Sequence, residues 1–288
     1  MKLTDLFREG KFVITSEVAP PKGGDTAEMI ENAELLKPRV DAINLTDQQS
    51  SVMRLGSLAA SQMLKARDIE PIFQMTCRDR NRIALQSDLL SAWALGIENA
   101  LCLTGDHVSL GDFPDARAVF DLDSVSLLAA AKGLNEGVDM AGNELAGATG
   151  FCLGAVVTPG ADPVELQLIK MEKKIAAGAE FFQTQAVFDA EAFARFMERA
   201  KPLGVPVMAG IILLKSPGMA RFMNNNVAGV HVPESLIDEM KNSEDRPATS
   251  VEIAARLIRE VKGICQGVHV MPLGWEKRVP AVLDAAGL

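Results

Sequence analysis

The chain has 288 residues, 48% hydrophobic and 23% charged, the proportions of an ordinary folded protein long enough for one large core or two modest ones. Its formal net charge of -9 argues against polynucleotide binding, which needs a concentrated basic surface, although local basic groups can still hold a phosphate. No run approaches the roughly 18 apolar residues of a membrane span, and "MKLTDLFREGKF" lacks a signal-peptide core, so the expected setting is the cytoplasm.

The first predicted strand, "KFVITSEV" (11–18), ends in a lone carboxylate, Glu17, before a double proline that forces an extended exit. Further β-branched runs follow at "DAINLTD" (41–47), "IEPIFQMTC" (69–77) and "ALCLTGD" (100–106). Four more lie at "FCLGAVVTP" (151–159), "FFQTQAVF" (181–188), "VPVMAGIILL" (205–214) and "GVHVMPLG" (267–274). Amphipathic stretches alternate with them: "TAEMIENAELLKP", "RLGSLAASQMLKAR", "RNRIALQSDLLSAWALG" and "DPVELQLIKMEKKIAAGA". In the last, Val164, Leu168, Met171 and Ile175 share one helix face. That helix is expected to start at Asp162-Pro163, as N-cap and first turn, and to stop at Gly178.

Strands alternating with helices predict a parallel sheet covered on both faces, and eight such units predict a single (β/α)8 TIM barrel domain over 1–288. An open doubly wound sheet is the alternative, but its GxGxxG turn is missing; "GNELAGATGFCLG" has other spacing and precedes a strand. Residues 107–120 form a long predicted loop, and long loops in compact domains are often functional. Residues 241–250, "KNSEDRPATS", read as a polar loop before the last helix. Cys77, Cys102, Cys152 and Cys265 are scattered, and with only three histidines no metal site is expected. They read as buried free thiols.

In this fold, chemistry sits where strands end at the C-terminal mouth. Those ends supply Glu17; Thr46, Asp47 and Gln48; Gln74 and Thr76; then Thr104, Gly105 and Asp106. The later strands supply Thr158, Gln183 and Gln185, Lys215 and Ser216, and finally Trp275 and Glu276. Most such residues simply mark the chain's return to water. Glu17 and Asp106 differ, because each follows a nearly continuous apolar run. A carboxyl in an apolar pocket has its charged form disfavoured, which suits a general acid. Two carboxyls in one mouth also fit glycoside hydrolysis, though the chain has no tyrosine and only two tryptophans to hold a sugar.

The ordered segments "SEVAPPKGG", "INLTD", "QMTCRDRNR", "LCLTGDH", "VVTPGADP", "KKIAAGAEFFQTQAVFD" and "GIILLKSPGMARFM" resemble the methylenetetrahydrofolate reductase family, from about residue 10 to the C-terminus. The resemblance implies a flavin-binding (β/α)8 barrel that reduces 5,10-methylenetetrahydrofolate to 5-methyltetrahydrofolate. In that family the first-strand glutamate, here Glu17, is the general acid. It protonates N10 and opens the folate's five-membered ring to a 5-iminium cation, which takes hydride from N5 of the reduced flavin. Asp106 matches an aspartate near pterin and flavin, and Gln185 the glutamine that pairs with the pterin. Gln183 and Trp275 complete the implied substrate contacts. The implied flavin contacts are Thr46, Gln74, Thr104, Gly105, Asp106, Asp121, Thr158 and Gln167. Lys173 and Lys174 would face the flavin phosphates, with a solvated helix face as the alternative.

The sequence departs from better-known bacterial members of the family. Gln74 replaces a histidine, Thr104 an arginine and Thr158 a tyrosine, and an aromatic residue is lost near Lys215-Ser216-Pro217. FAD is the expected cofactor with FMN as the alternative, and NADH or NADPH is the implied electron donor. "LLKSPGMARFM" and "MPLGWEK" resemble short anaerobe-type reductases, some of which take electrons from an iron–sulfur or zinc partner subunit. Such a partner is the second implied electron source, and self-association into a homo-oligomer is a further expectation.

Overall fold

The computed structural model describes residues 1–288. Its strands are β1 (Val13–Val18), β2 (Ala42–Leu45), β3 (Pro71–Thr76), β4 (Asn99–Leu103), β5 (Cys152–Val157), β6 (Phe181–Ala186), β7 (Val207–Ile212) and β8 (Gly267–Met271). They close in sequence order into one parallel barrel. Val13, Ile14, Thr15 and Ser16 pair with Gly267, Val268, His269 and Val270, a closure that rules out the open sheet. The molecule is the expected (β/α)8 barrel.

Helix α1 (Leu3–Arg8) precedes β1, and α2 (Ala27–Leu36) to α7 (Ala190–Ala200) follow the first six strands. Among these are α3 (Ser57–Lys65), α4 (Arg82–Ala94), α5 (Ser124–Asn135) and α6 (Glu165–Ala176). After β7 come α8 (Pro217–Asn226), α9 (Glu234–Asn242) and α10 (Arg246–Val261), and α11 (Val279–Ala286) follows β8. Side chains cap several starts: Asn81 accepts from Ile83 N and Ala84 N, Asp123 from Ser126 N, and Asp189 from Ala192 N.

Three expectations need correction. The strands are shorter than the apolar runs, so most of the polar end residues lie on the βα loops. Helix α6 starts at Glu165, because Gln167 N and Leu168 N both donate back to Val164 O; Asp162 is not its cap. Residues 241–250 are mostly helical: α9 ends at Asn242, and Asp245 accepts from Ala248 N to start α10. That helix is not the last, since β8 and α11 follow it.

Alternation along the strands sorts the barrel interior into layers. The floor is apolar: Val13, Ala42, Ile72, Leu101, Cys152, Phe181 and Met208, plugged from below by Leu3 and Leu6 of α1. Gly154 makes room there, because a Cβ would lie 2.3 Å from the Phe181 ring. Two residues further up, the wall turns polar with Thr15, Asn44, Gln74, Gln183 and His269, all buried. Above these lies the mouth. The larger apolar core packs outside the sheet, between strands and helices. All four cysteines are buried and free, and burial pushes the Cys77 and Cys152 thiols up to about 12. No helix is long and apolar enough to cross a membrane.

Candidate active site in the barrel mouth

A cavity of about 350 Å³ occupies the mouth, and its wall includes Glu17, Thr46, Gln74, Thr104, Gly105, Asp106, Gln183 and Gln185. With Asp47, Gln48 and Thr76, eleven of the residues singled out from sequence, from five different strand ends, are thus gathered in one place. Parity explains Glu17: it follows Val13 and Thr15 on the inward face of β1, one layer above the polar ring. The residue is 7% exposed, and its Oε2 stands 3.7 Å from His269 Nε2. The pocket around Glu17 is therefore polar, not the apolar one expected. Asp106 departs further from expectation, because it lies on the loop after β4 and is exposed.

The loops of the mouth are held by Asp47, a strand-end residue, and by two arginines absent from the sequence expectations, Arg78 and Arg80. Asp47 is buried and accepts from Thr76 N at 2.8 Å, from Thr76 Oγ1 at 2.9 Å, and from Arg80. Arg78, 2% exposed, grips Asp79 through Nε at 2.9 Å and Nη2 at 2.7 Å. It also donates to Asp106 O and Gln48 O, both at 3.3 Å, tying the loops after β2 and β4 together. Gln48, Ser50 and Ser51 all have positive φ, 50°, 55° and 58°. Three non-glycine residues in the left-handed region within four positions mark a strained segment, and such segments cluster at functional sites.

Two features leave room for a ligand. Thr46 Oγ1 is buried without any hydrogen-bond partner, although it lines the cavity. Gly105 has φ +92°, and a Cβ there would sit 3.0 Å from Thr76 Cβ, so only glycine brings the backbone this close. Thr104 is already engaged, its Oγ1 accepting from Ser124 N at 3.1 Å at the start of α5.

Thr158, Gln167, Lys173 and Lys174 line a neighbouring cavity of about 410 Å³, together with Lys170, Asp123 and Thr104. Thr104 and Val156 belong to both walls, so the two spaces adjoin. Lys173 is exposed, whereas Lys174 is half-buried and donates to Val156 O at 2.6 Å. Burial, aided by the like charge of Lys170, lowers the Lys174 ammonium from 10.5 to about 8. Gln167 is turned inward, its Oε1 accepting from Thr158 N at 3.4 Å.

Two sequence candidates lie elsewhere. Asp121 binds Arg82 Nε and Nη2 at 2.8 and 2.9 Å and also accepts from Arg82 N. This pairing holds its carboxyl down at about 2; Asp123, two residues on, caps α5 instead. Trp275 lies outside the mouth, with Lys215 and Arg278 each 5.3 Å from its ring centre. Its ring serves these two cations, not the cavity. Conversely, Thr15, Asn44 and His269 were missed, though their even spacing from Val13, Ala42 and Gly267 could have placed them inside. Arg78 and Arg80 carry no comparable signal, since Gln48 O, Asp106 O and Asp47, which tie them into the mouth, come from other loops. No group of three or more His, Cys, Asp or Glu side chains is arranged to hold a metal ion.

A family model described as methylenetetrahydrofolate reductase matches residues 2–287. The 5,10-methylenetetrahydrofolate reductase of Pectobacterium carotovorum subsp. carotovorum is 25% identical over 261 residues, 88% of this chain and 81% of that protein. A probable methylenetetrahydrofolate reductase (NADPH) of Caenorhabditis elegans is 24% identical over 81% of this chain, which spans only 34% of that longer relative. Among solved structures, a Clostridium thermocellum protein that binds two copies of 5-methyl-5,6,7,8-tetrahydrofolic acid has the same fold. It superimposes with a TM-score of 0.68 at 18% identity, over 98% of this chain and 97% of that one.

Proposed function

We propose that this chain, which belongs to the methylenetetrahydrofolate reductase family, reduces 5,10-methylenetetrahydrofolate to 5-methyltetrahydrofolate. The observation that carries this reading is the meeting of Glu17, Asp106 and Gln185 in one mouth cavity. The names of the bacterial relatives and the folate bound by the C. thermocellum protein of the same fold support it.

In this reading Glu17 delivers its proton to N10 of the folate, the ring C–N bond breaks, and a 5-iminium cation remains. A buried carboxyl suits this role because it is held in one place with little competing water. Asp106 places a negative charge near the cation as it forms. Gln185 presents an amide that both donates to and accepts from a pterin edge.

A flavin, FAD or FMN, supplies the hydride when bound. The orphaned hydroxyl of Thr46, the tight backbone at Gly105 and the Gln74 amide fit its ring system. Lys173 and Lys174, in the adjoining cavity with Thr158 and Gln167, fit its phosphates. The departures at Gln74, Thr104 and Thr158 leave fewer cationic and aromatic contacts than the resemblance implies, which keeps FMN open beside FAD. Relatives named for NADPH and NADH support a nicotinamide as electron donor. The runner-up donor, a metal-cluster partner subunit, rests on resemblance alone.

The test is a visible spectrum of the purified chain, supplied with FAD or FMN and taken anaerobically before and after 5-methyltetrahydrofolate is added. Bleaching of the flavin band on addition is the expected result. A bound flavin indifferent to this folate would overturn the substrate, and failure to bind either flavin would overturn the cofactor.

A further inference from the structure

The barrel interior holds a hydrogen-bonded chain that the steps above do not use. The side-chain amides of Asn44 and Gln183 exchange hydrogen bonds: Asn44 Nδ2 donates to Gln183 Oε1 at 2.8 Å, and Gln183 Nε2 donates to Asn44 Oδ1 at 3.2 Å. Gln183 Nε2 also donates to Thr15 Oγ1 at 3.3 Å. Thr15 Oγ1 lies 3.0 Å from His269 Nδ1, and His269 Nε2 lies 3.7 Å from Glu17 Oε2. Strand pairing sets this alignment, because Thr15 stands opposite His269 in the register of β1 and β8.

The chain has a direction. Thr15 is sealed from solvent, and its oxygen already accepts from Gln183. With the Gln183 amide nitrogen facing Thr15, the single hydroxyl hydrogen has one neighbour able to take it, His269 Nδ1. If Nδ1 carried a proton, as in the other tautomer or in the imidazolium, the threonine hydrogen would be buried without an acceptor. Native interiors rarely leave a donor that way.

We infer that His269 is a positioning residue for Glu17. The Thr15 hydroxyl holds the imidazole as the tautomer protonated on Nε2, so an N–H faces one carboxyl oxygen of Glu17 and leaves the other for the substrate. The inference rests on the reading of Glu17 as the acid. A side-chain shift of about 0.7 Å brings Nε2 and Oε2 to hydrogen-bond distance. Once the Glu17 proton has passed to the folate nitrogen, the carboxylate left behind accepts from this N–H, and no second proton has to move. The arrangement follows a general pattern in which the proton on one imidazole nitrogen is set by what the other nitrogen contacts.

The experiment reads the tautomer directly. The full chain has three histidines, and His107 and His231 are exposed, so histidine-selective ¹⁵N labelling resolves His269 by long-range ¹H–¹⁵N correlation. His269→Gln identifies its signals. The expected result is protonation on Nε2 alone, kept in Thr15→Ser and lost or mixed in Thr15→Val. Protonation on Nδ1 in the unsubstituted chain, or an unchanged pattern in Thr15→Val, would overturn the inference. With flavin bound, Thr15→Val and His269→Gln should lose on the order of tenfold or more in the folate-dependent step, with flavin affinity kept and Thr15→Ser near normal. Normal rates in both would also overturn it. If the Nε2 tautomer is present and no folate reacts, the failure lies with the proposed reaction and not with the tautomer.

Discussion

Glu17 owes its place to three things visible at the level of one residue: strand parity, burial and a histidine 3.7 Å away. Glu17→Gln keeps the shape and removes the transferable proton. It is expected to bind flavin normally and to lose about 10²–10⁴-fold in folate turnover, the usual range for a general acid. Near-normal turnover of purified Glu17→Gln would refute the role. Asp106 lies on an exposed loop, where solvent weakens its field. Asp106→Asn should therefore cost less, about tenfold, and shift the potential of bound flavin; an unchanged rate and potential would remove it from the site. Asp121 shows the limit of residue-level reading. Two acids flank Leu122, and nothing local says which of them caps α5. The guanidinium that claims Asp121 lies 39 positions back along the chain.

At the scale of elements, helix starts are decided by which backbone N–H groups find an oxygen. Asp162 precedes Pro163 as a cap would, yet the first bonds of α6 return to Val164 O. Asp245, in the segment read as a loop, accepts from Ala248 N at 3.1 Å and starts the 16-residue α10. Asp245→Ala should thus destabilise the chain by about 1 kcal/mol, while Asp162→Ala should be close to neutral. Parallel urea or thermal unfolding of the two variants checks the pair. Equal losses would show the cap assignment to be wrong. The strained loop at Gln48, Ser50 and Ser51 belongs to this scale too, because Arg78 holds it through Gln48 O. Its backbone conformation could not be read from side-chain identities.

For the molecule as a whole, the proposed role of Lys174 at the flavin phosphates predicts a coupling of binding to stability. Its ammonium is held at about 8 against an ordinary 10.5, so the native chain gives up this proton before the unfolded chain does. Below pH 8 both states carry the charge and the burial penalty is present in full. Between about pH 8 and 10.5 the unfolded chain binds more protons, so the Lys174 contribution to stability rises with pH across that window. Lys174→Met is therefore expected to raise the melting temperature of the flavin-free chain by roughly 1–3 °C at pH 7, an advantage that shrinks towards pH 10.5. Flavin affinity should move the other way, weaker in Lys174→Met and, in the unsubstituted chain, falling above about pH 8. Calorimetric scans and flavin titrations across pH check both signs. A melting temperature lowered at pH 7, or flavin binding indifferent to Lys174, would break the link.

The sequence by itself determined the number and order of the strands, the barrel they close, and eleven of the residues that line its mouth. These follow from local periodicity, and closure of eight parallel strands leaves little freedom about which end becomes the mouth. Only the tertiary structure decided the partners. Arg82 claims Asp121, Lys215 and Arg278 flank Trp275, Asp47 fastens β2 to β3, and His269 faces both Thr15 and Glu17. All of these contacts except that of Arg278 with Trp275 join positions far apart along the chain. Which of several oxygens or cations a polar group meets there depends on register and side-chain direction, and the chain acquires both only when the barrel closes.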